Sequence, residues 1–484
     1  MATPQLALLE PMVVAGEFTL QILMAIVVLL RKGDRPQVAM AWMVVVLALP
    51  VVGVIAYLLV GETRLGFFRM RRHAKIIAEI DVDDHHTHHD PRTRHFELAP
   101  QQHQIAAVAQ LASHSLPLAG NRLWLSGDTQ ETLDRMCADI DRAARHVHLL
   151  TYIYLDDRAG RQVGEALLRA VARGVACRLL VDGVGSKAFL RSALRTRLAG
   201  GGVQVVEALP VSMVRLVFSR LDMRNHRKIL VIDGAIGWTG SQNIAEAGFA
   251  PKAKYAPWVD CTVRIDGPLV RELQMIFVED WSMESDEDID ELLRVEPAYR
   301  EDGVIAQAFA TGPNFHNDAV TQLIQSAVQI AREEIVLTTP YFVPDYSLLS
   351  ALGVAARRGV RVHLVVPARN DSMLVGLASR SLFQGLLECG VRIHEFQKGL
   401  LHAKTVVIDR ATAIVTSANL DRRSFEINFE AGIIVFDAEF AGQLRYLQSQ
   451  YIEQSTEVET RDWDKRPWTM QLVDSAGGLL SPLL

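Results

Sequence analysis

His226 and Lys228 stand two residues apart, as do His402 and Lys404, and each pair is followed at the same distance by an aspartate, Asp233 or Asp409. Beyond each aspartate lies a run of small residues ending in an amide, Gly240-Ser241-Gln242-Asn243 in one case and Thr416-Ser417-Ala418-Asn419 in the other. A single buried histidine is ordinarily a core residue with a satisfied hydrogen bond. Two, each with a lysine and an asparagine at matched distances, read as one site in duplicate. Histidine is suited to nucleophilic attack or proton transfer near neutral pH. If the two copies converge, the cleft holds two imidazoles, two ammonium groups and two amides. Such a cleft suits a phosphodiester, because lysines and amides stabilise the charge on its equatorial oxygens without a metal. One histidine would attack phosphorus to form a phosphohistidine, while the other protonates the departing alcohol and then deprotonates the incoming one. Asp260 and Glu430 follow the two motifs at similar distances. A carboxylate there would fix an imidazole's tautomer and raise its basicity.

Each motif must sit on an extended segment. Ile229 to Ile232 and Thr405 to Ile408 are apolar or β-branched runs that end at turns, Asp233-Gly234 and Asp409-Arg410. In a strand alternate residues share a face, so each histidine points the same way as its lysine and each aspartate points away. The aspartates are therefore expected to brace the turns of a catalytic set made of His226, Lys228, Asp233, His402, Lys404 and Asp409, with Ser241, Asn243, Ser417 and Asn419 binding substrate.

The repeat extends upstream. His148 to Tyr154 resembles Ile335 to Phe342, and each leads to a helical pattern closing on a glycine, Gly174 or Gly359. Strand patterns at Val175 to Val181 and Val203 to Val206 match those at Val360 to Val366 and Val391 to His394. Alternating strands and helices predict two α/β lobes, each a sheet flanked by helices. Two runs break the parallel: Pro210 to Leu221 in the first lobe and Met373 to Leu387 in the second. They suit either guidance of acyl chains or ordinary core packing.

The chain of 484 residues accommodates two or three domains, and its net charge of -6 offers no general argument for nucleic acid. Cys137, Cys177, Cys261 and Cys389 lie far apart, which argues against a disulfide framework or zinc site. Val38 to Val60 carries no charge and is long enough to span a bilayer, while Met12 to Leu30 is a second candidate interrupted by Glu17. Two spans put both termini on one side. Arg64, Arg69, Arg71, Arg72 and Lys75 after the second favour a cytoplasmic catalytic region and suit either an anionic lipid surface or a stop-transfer anchor. The histidine-rich run Asp81 to His103 lacks regular ligand spacing and reads as a linker. The expected organisation is a membrane anchor at 1–61, a linker at 62–120, a first lobe at 121–300 and a second at 301–484.

The paired His-x-Lys-x4-Asp motifs with their Gly-Ser-x-Asn tail resemble the phospholipase D superfamily. Thr416 departs from the glycine usual there and is expected to tighten the second loop. The hydrophobic N-terminal segments, Thr339-Pro340-Tyr341-Phe342-Val343-Pro344, Asn419 to Phe425 and the terminal Ser481-Pro482-Leu483-Leu484 resemble bacterial cardiolipin synthases of that superfamily. The resemblance implies two phospholipase D-like lobes forming one pseudo-two-fold active site, with N-terminal transmembrane helices in the bacterial inner membrane. It implies a cofactor-free enzyme that joins two phosphatidylglycerol molecules among anionic membrane lipids, with no nucleic acid as partner. By the same pattern His226 is the nucleophile and His402 the acid and base, although the near symmetry of the motifs leaves the reverse order open. A phospholipase D hydrolase, a synthase using phosphatidylethanolamine, a nuclease of the superfamily and a non-enzymatic membrane scaffold are the competing readings.

Overall fold

The computed structural model describes residues 4–32, 36–61, 67–80, 90–113, 115–210, 222–287, 289–313 and 319–479. The insertion at 211–221, the histidines at 85–89 and the terminal residues 480–484 lie outside them.

The first lobe contributes β1 (Leu118–Ser126), β2 (His146–Thr151), β3 (Ala176–Asp182), β4 (Gln204–Ala208), β5 (Ile229–Ile232), β6 (Ile236–Gly240), β7 (Trp258–Val259) and β8 (Thr262–Asp266). The second contributes β9 (Val304–Thr311), β10 (Glu334–Thr338), β11 (Phe342–Val343), β12 (Arg361–Pro367), β13 (Arg392–Phe396), β14 (Leu400–Leu401), β15 (Thr405–Ile408), β16 (Thr412–Thr416), β17 (Leu420–Asp421), β18 (Glu430–Val435) and β19 (Ser455–Glu457). Fifteen of these form one sheet, in the order β19-β13-β12-β10-β15-β16-β18-β9-β1-β8-β6-β5-β2-β3-β4. Outward from the central antiparallel pair β1 and β9, the two lobes repeat one order, so the duplication read in the sequence is a duplication of topology. The added edge strand β19 pairs with β13.

Side-chain alternation explains why these strands read as unbroken apolar runs. In β5, Ile229 and Val231 pack in a core that includes the helix Leu269–Glu284, while Leu230 and Ile232 pack with the helices Thr129–Asp141 and Arg158–Ala172 on the other face. A strand covered on both sides has no face for polar residues. The helices start where short acids can cap them: Asp157 accepts from the Gly160 N–H at 2.9 Å, and Asp345 from the Leu348 N–H at 3.0 Å. Each such cap is worth about 1 kcal/mol. Gly174 (φ 87°) and Gly359 (φ 92°) end equivalent helices in the left-handed region, where a Cβ is strained.

Two expectations about the N-terminal third change. Val38 to Val60 does not form one helix. It divides into Pro36–Ala48, Pro50–Ala56 and a π-helical turn at Tyr57–Gly61, and no helix among the described residues is long and apolar enough to cross a membrane. Pro50 causes the break, because its ring excludes the preceding residue from helical geometry, and Leu49 lies at φ -130°, ψ 77°. At Gly53 a Cβ would stand 2.4 Å from the Val45 carbonyl oxygen, so only glycine allows the second piece to fold back so closely. Val28, Trp42, Val46, Val54 and Tyr57 form a small core of this bundle, whereas Ile22, Leu30, Val44 and Val52 are exposed.

The basic stretch after it does not lie free for lipid headgroups as a whole. On the helix Phe67–Ile80, Arg69 pairs with Glu284, Arg72 donates to the Ser282 and Ser285 carbonyls at 2.9 and 2.6 Å, and Ile76 joins the main core. Nor is the region before β1 only a linker. The helix Pro100–Ser113 places Ile105, Ala106 and Ala109 in the second lobe's core, and Gln307 Nε2 donates to the Ala106 and Ser115 carbonyls at 3.1 and 2.8 Å.

Candidate active site

The two histidines meet in one cavity of about 840 Å³ between the lobes. Its wall includes Tyr152, His226, Asn243, Trp258, Tyr341, His402 and Asn419. Each histidine precedes the edge of a central strand, where a short ladder crosses between lobes. Leu400 and Leu401 of β14 pair in parallel with Trp258 and Val259 of β7, and Asn225 forms a bridge with Phe429. The His402 N–H then donates to the Val259 carbonyl at 2.7 Å, and the His226 N–H to the Phe429 carbonyl at 2.8 Å. The backbone preceding each histidine is thus tied to the residue before the other lobe's carboxylate.

The consequence is a crossed pairing. His226 of the first lobe donates its Nδ1 hydrogen to Glu430 of the second (3.1 and 3.0 Å), and His402 of the second donates to Asp260 of the first at 2.6 Å. Spacing places each carboxylate after the motif of its own lobe, but the fold gives it to the other. A carboxylate can only accept, so each pair fixes the tautomer that leaves Nε2 with a lone pair. Neither lobe alone contains an oriented imidazole.

The serines have a role other than the one expected. Ser241 and Ser417 are fully buried, and their hydroxyls donate to Asp260 at 2.6 Å and Glu430 at 2.5 Å. Each hydroxyl also accepts the N–H that follows its carboxylate, from Cys261 at 2.9 Å and Ala431 at 3.0 Å. They hold the carboxylates that hold the histidines. The Thr416 hydroxyl links the Ala431 carbonyl and the Ala418 N–H at 3.1 Å each. Its counterpart Gly240 sits at φ 149°, where a Cβ would come within 2.3 Å of the Cys261 carbonyl.

Asp233 and Asp409 lie away from the cavity wall and brace the backbone. Asp233 (φ 54°) accepts the N–H groups of Ala144, Arg145 and His146 at 2.8, 2.7 and 2.9 Å, and Asp409 (φ 49°) those of Arg332, Glu333 and Glu334 at 2.9, 2.8 and 2.9 Å. They tie the far ends of β5 and β15 to β2 and β10.

Lys228 and Lys404 are buried, and each ammonium donates to its own histidine's carbonyl at 2.6 Å. An ammonium has three hydrogens, so two remain for a bound oxyanion. Burial lowers Lys228 to about 8 and Lys404 to about 7, against the pull of Glu430, Asp260 and other acids. Burial likewise lowers His226 to about 4, opposed by Glu430, and lowers His402, with Lys404 adding to the effect. Burial disfavours charge on Asp260 as well, but His402 and Lys404 outweigh it and hold that carboxyl at about 2. Burial and the neighbouring charges therefore favour neutral imidazoles beside ionised carboxylates.

Asn243 and Asn419 both line the cavity. The Asn243 Oδ1 accepts the Ile153 N–H at 3.1 Å, and the Asn419 amide donates to Asp421 at 3.3 Å. Sequence spacing did not single out the aromatic walls: the Tyr152 ring packs edge-on to His226 at 4.8 Å and Trp258 tilts over His402 at 4.6 Å. It also passed over Arg227, which spans the lobes by bonding Asp280 at 2.8 Å and the Glu430 and Thr311 carbonyls at 3.2 and 3.1 Å. Its position between His226 and Lys228 was the available signal, since the second motif has Ala403 there.

Residues 136–281 and 320–450 match the family described as "Cardiolipin synthase, PLD-like domain", and residues 20–62 match "Phospholipase_D-nuclease N-terminal". The chain is 36% identical over 465 residues to cardiolipin synthase A of Edwardsiella ictaluri, covering 94% of this chain and 95% of that one. It is 36% identical over 471 residues to cardiolipin synthase A of Yersinia pseudotuberculosis, with the same coverage. Phosphatidylserine synthase of Haemophilus influenzae shares the fold at 15% identity, with a TM-score of 0.58, covering 79% of this chain and 100% of that one. With the duplicated sheet, the crossed histidine pairs and a match along nearly its whole length, this chain belongs to the phospholipase D-like cardiolipin synthase family.

Proposed function

We propose that this chain is a phosphatidyltransferase that joins two phosphatidylglycerol molecules into cardiolipin and releases glycerol. The observation that carries the reading is that two imidazoles, each held at Nδ1 by a carboxylate of the other lobe, line one cavity. In the first step His226 Nε2 attacks phosphorus, the P–N bond forms, and the bond to the headgroup glycerol breaks as His402 supplies its proton. In the second, the hydroxyl of another phosphatidylglycerol gives its proton to His402 and attacks phosphorus, breaking the P–N bond. One phosphodiester replaces another, so no nucleotide enters the balance. His402 must be protonated to begin. A bound phosphodiester anion favours that form by opposing the burial and lysine charge that lower its pKa.

Water is the competing acceptor, and an apolar cavity held against a bilayer limits it. The helical pieces between Pro4 and Gly61, with exposed Ile22, Leu30, Val44 and Val52, supply the membrane attachment in this reading, with the catalytic lobes on the cytoplasmic side. Purified protein given phosphatidylglycerol alone in mixed micelles should yield cardiolipin and glycerol in equal amounts. Phosphatidic acid as the main product would identify a hydrolase, and a requirement for added phosphatidylethanolamine would identify a different donor.

A further inference from the structure

Joining two phospholipids differs from hydrolysis or glycerol exchange in one respect: the alcohol that completes the reaction carries a phosphate of its own. A site that prefers this alcohol needs cations for two phosphates. In the proposed reaction the two histidines, with Lys228 and Lys404 buried beside them, serve the first. Elsewhere on the wall, Lys252 reaches across the lobes to Asp371 at 2.5 Å, and Arg423 donates to the Asp222 carbonyl at 2.8 Å. Lys187 and Arg191 differ from them. Both line the cavity, both are exposed, and neither has an anionic partner among the described residues. They begin and cap the one-turn helix Lys187–Leu190, so they fall on one side of it.

The surrounding chain fixes this helix relative to the chemistry. Asp182 accepts the Val184 and Gly185 N–H groups at 2.9 Å each, and the Ser186 hydroxyl donates to the Tyr152 carbonyl at 2.9 Å. At Gly185 a Cβ would stand 2.4 Å from that same carbonyl oxygen, so the loop lies directly on Tyr152, whose ring contacts His226. A continuous set of packed residues therefore runs from the imidazole to the two cations.

We propose that Lys187 and Arg191 bind the phosphate of the acceptor phospholipid and so select a phosphate-bearing lipid alcohol over water or free glycerol. The assignment rests on the reading of the chain as a transferase between two phospholipids. Arginine suits bidentate phosphate contact and lysine acts as a point charge beside it.

The test compares two reactions of the full chain in neutral-detergent micelles containing phosphatidylglycerol: cardiolipin formation and exchange of labelled glycerol into the headgroup. Both use the same donor, but only the first uses an acceptor with a phosphate. Lys187→Ala and Arg191→Ala should each lower kcat/KM for cardiolipin formation about fivefold, and the double variant about 25-fold, with glycerol exchange within about twofold of the parent. Lys187→Arg should restore most of the loss. Equal losses in both reactions would assign the cations to donor binding or general surface attraction and overturn the proposal, as would no loss in either. If the parent protein itself forms phosphatidic acid and no cardiolipin, the functional reading fails and this assignment fails with it.

Discussion

If each histidine is oriented by the other lobe's carboxylate, removing a carboxylate should disable the histidine across the interface. The perturbations are Glu430→Gln and Asp260→Asn, which keep size and remove charge. Glu430 accepts from His226 at 3.1 and 3.0 Å and from Ser417 at 2.5 Å, and Asp260 accepts from His402 and Ser241 at 2.6 Å each. Loss of one charge-assisted hydrogen bond costs about 1.5–3 kcal/mol, or roughly 10- to 150-fold in kcat. An amide can also stabilise the wrong tautomer, which extends the loss toward about 10⁴-fold. Magnitude alone does not show which imidazole has failed, so the assay pairs the natural substrate with a phosphatidyl ester of p-nitrophenol. That leaving group departs without a proton. With His402 as the acid, the single-turnover burst of nitrophenol should recover in His402→Ala and Asp260→Asn, although later turnovers still lack the base, but stay low in His226→Ala and Glu430→Gln. Reversed histidine roles would exchange the two groups intact. Recovery of His402→Ala together with Glu430→Gln would refute the crossed arrangement.

Three further outcomes follow from the same geometry. Binding of a soluble phosphodiester such as glycerophosphoglycerol should weaken as pH rises through the values of Lys404, about 7, and Lys228, about 8, because the anion favours their charged forms. Calorimetry above neutral pH should then show proton uptake, with affinity falling by up to about tenfold per pH unit for each lysine; affinity independent of pH from 6 to 9 would count against buried lysines as phosphate ligands. Asp233→Ala and Asp409→Ala should act on stability, since each strands three backbone N–H groups and leaves alanine at positive φ, at a cost of about 2–4 kcal/mol. Thermal unfolding should fall while kcat per folded molecule stays near the parent's, and a selective loss of kcat would return these residues to the chemistry. Arg227→Met should leave Asp280 buried without its charge partner, destabilising by about 3 kcal/mol or more and loosening the lobe interface, as read by hydrogen exchange at Glu430 and Thr311.

The sequence determined the duplication, the succession of strands and helices before each motif and the residue types of the chemistry, because these rest on information local to the chain. Short unbroken apolar runs such as Ile229–Ile232 mark strands covered on both faces, and the repeat of His-x-Lys-x4-Asp identified equivalent positions within each lobe. Parity alone assigned Asp233 and Asp409 to the turns. Only the tertiary structure decided the rest, because it depends on which residues meet across an interface. Glu430 belongs to His226, and Asp260 to His402, through cross-lobe ladders at Leu400–Leu401 and Asn225 that no spacing encodes. Ser241 and Ser417 support carboxylates because those acids lie behind the cavity wall. Arg69 and Arg72 face the helix Leu269–Glu284, far along the chain, so their charge alone did not mark out a lipid surface. At Leu49 the proline that breaks the apolar run was visible in the sequence, but a membrane helix tolerates proline and only the fold-back at Gly53 showed that this one divides the segment.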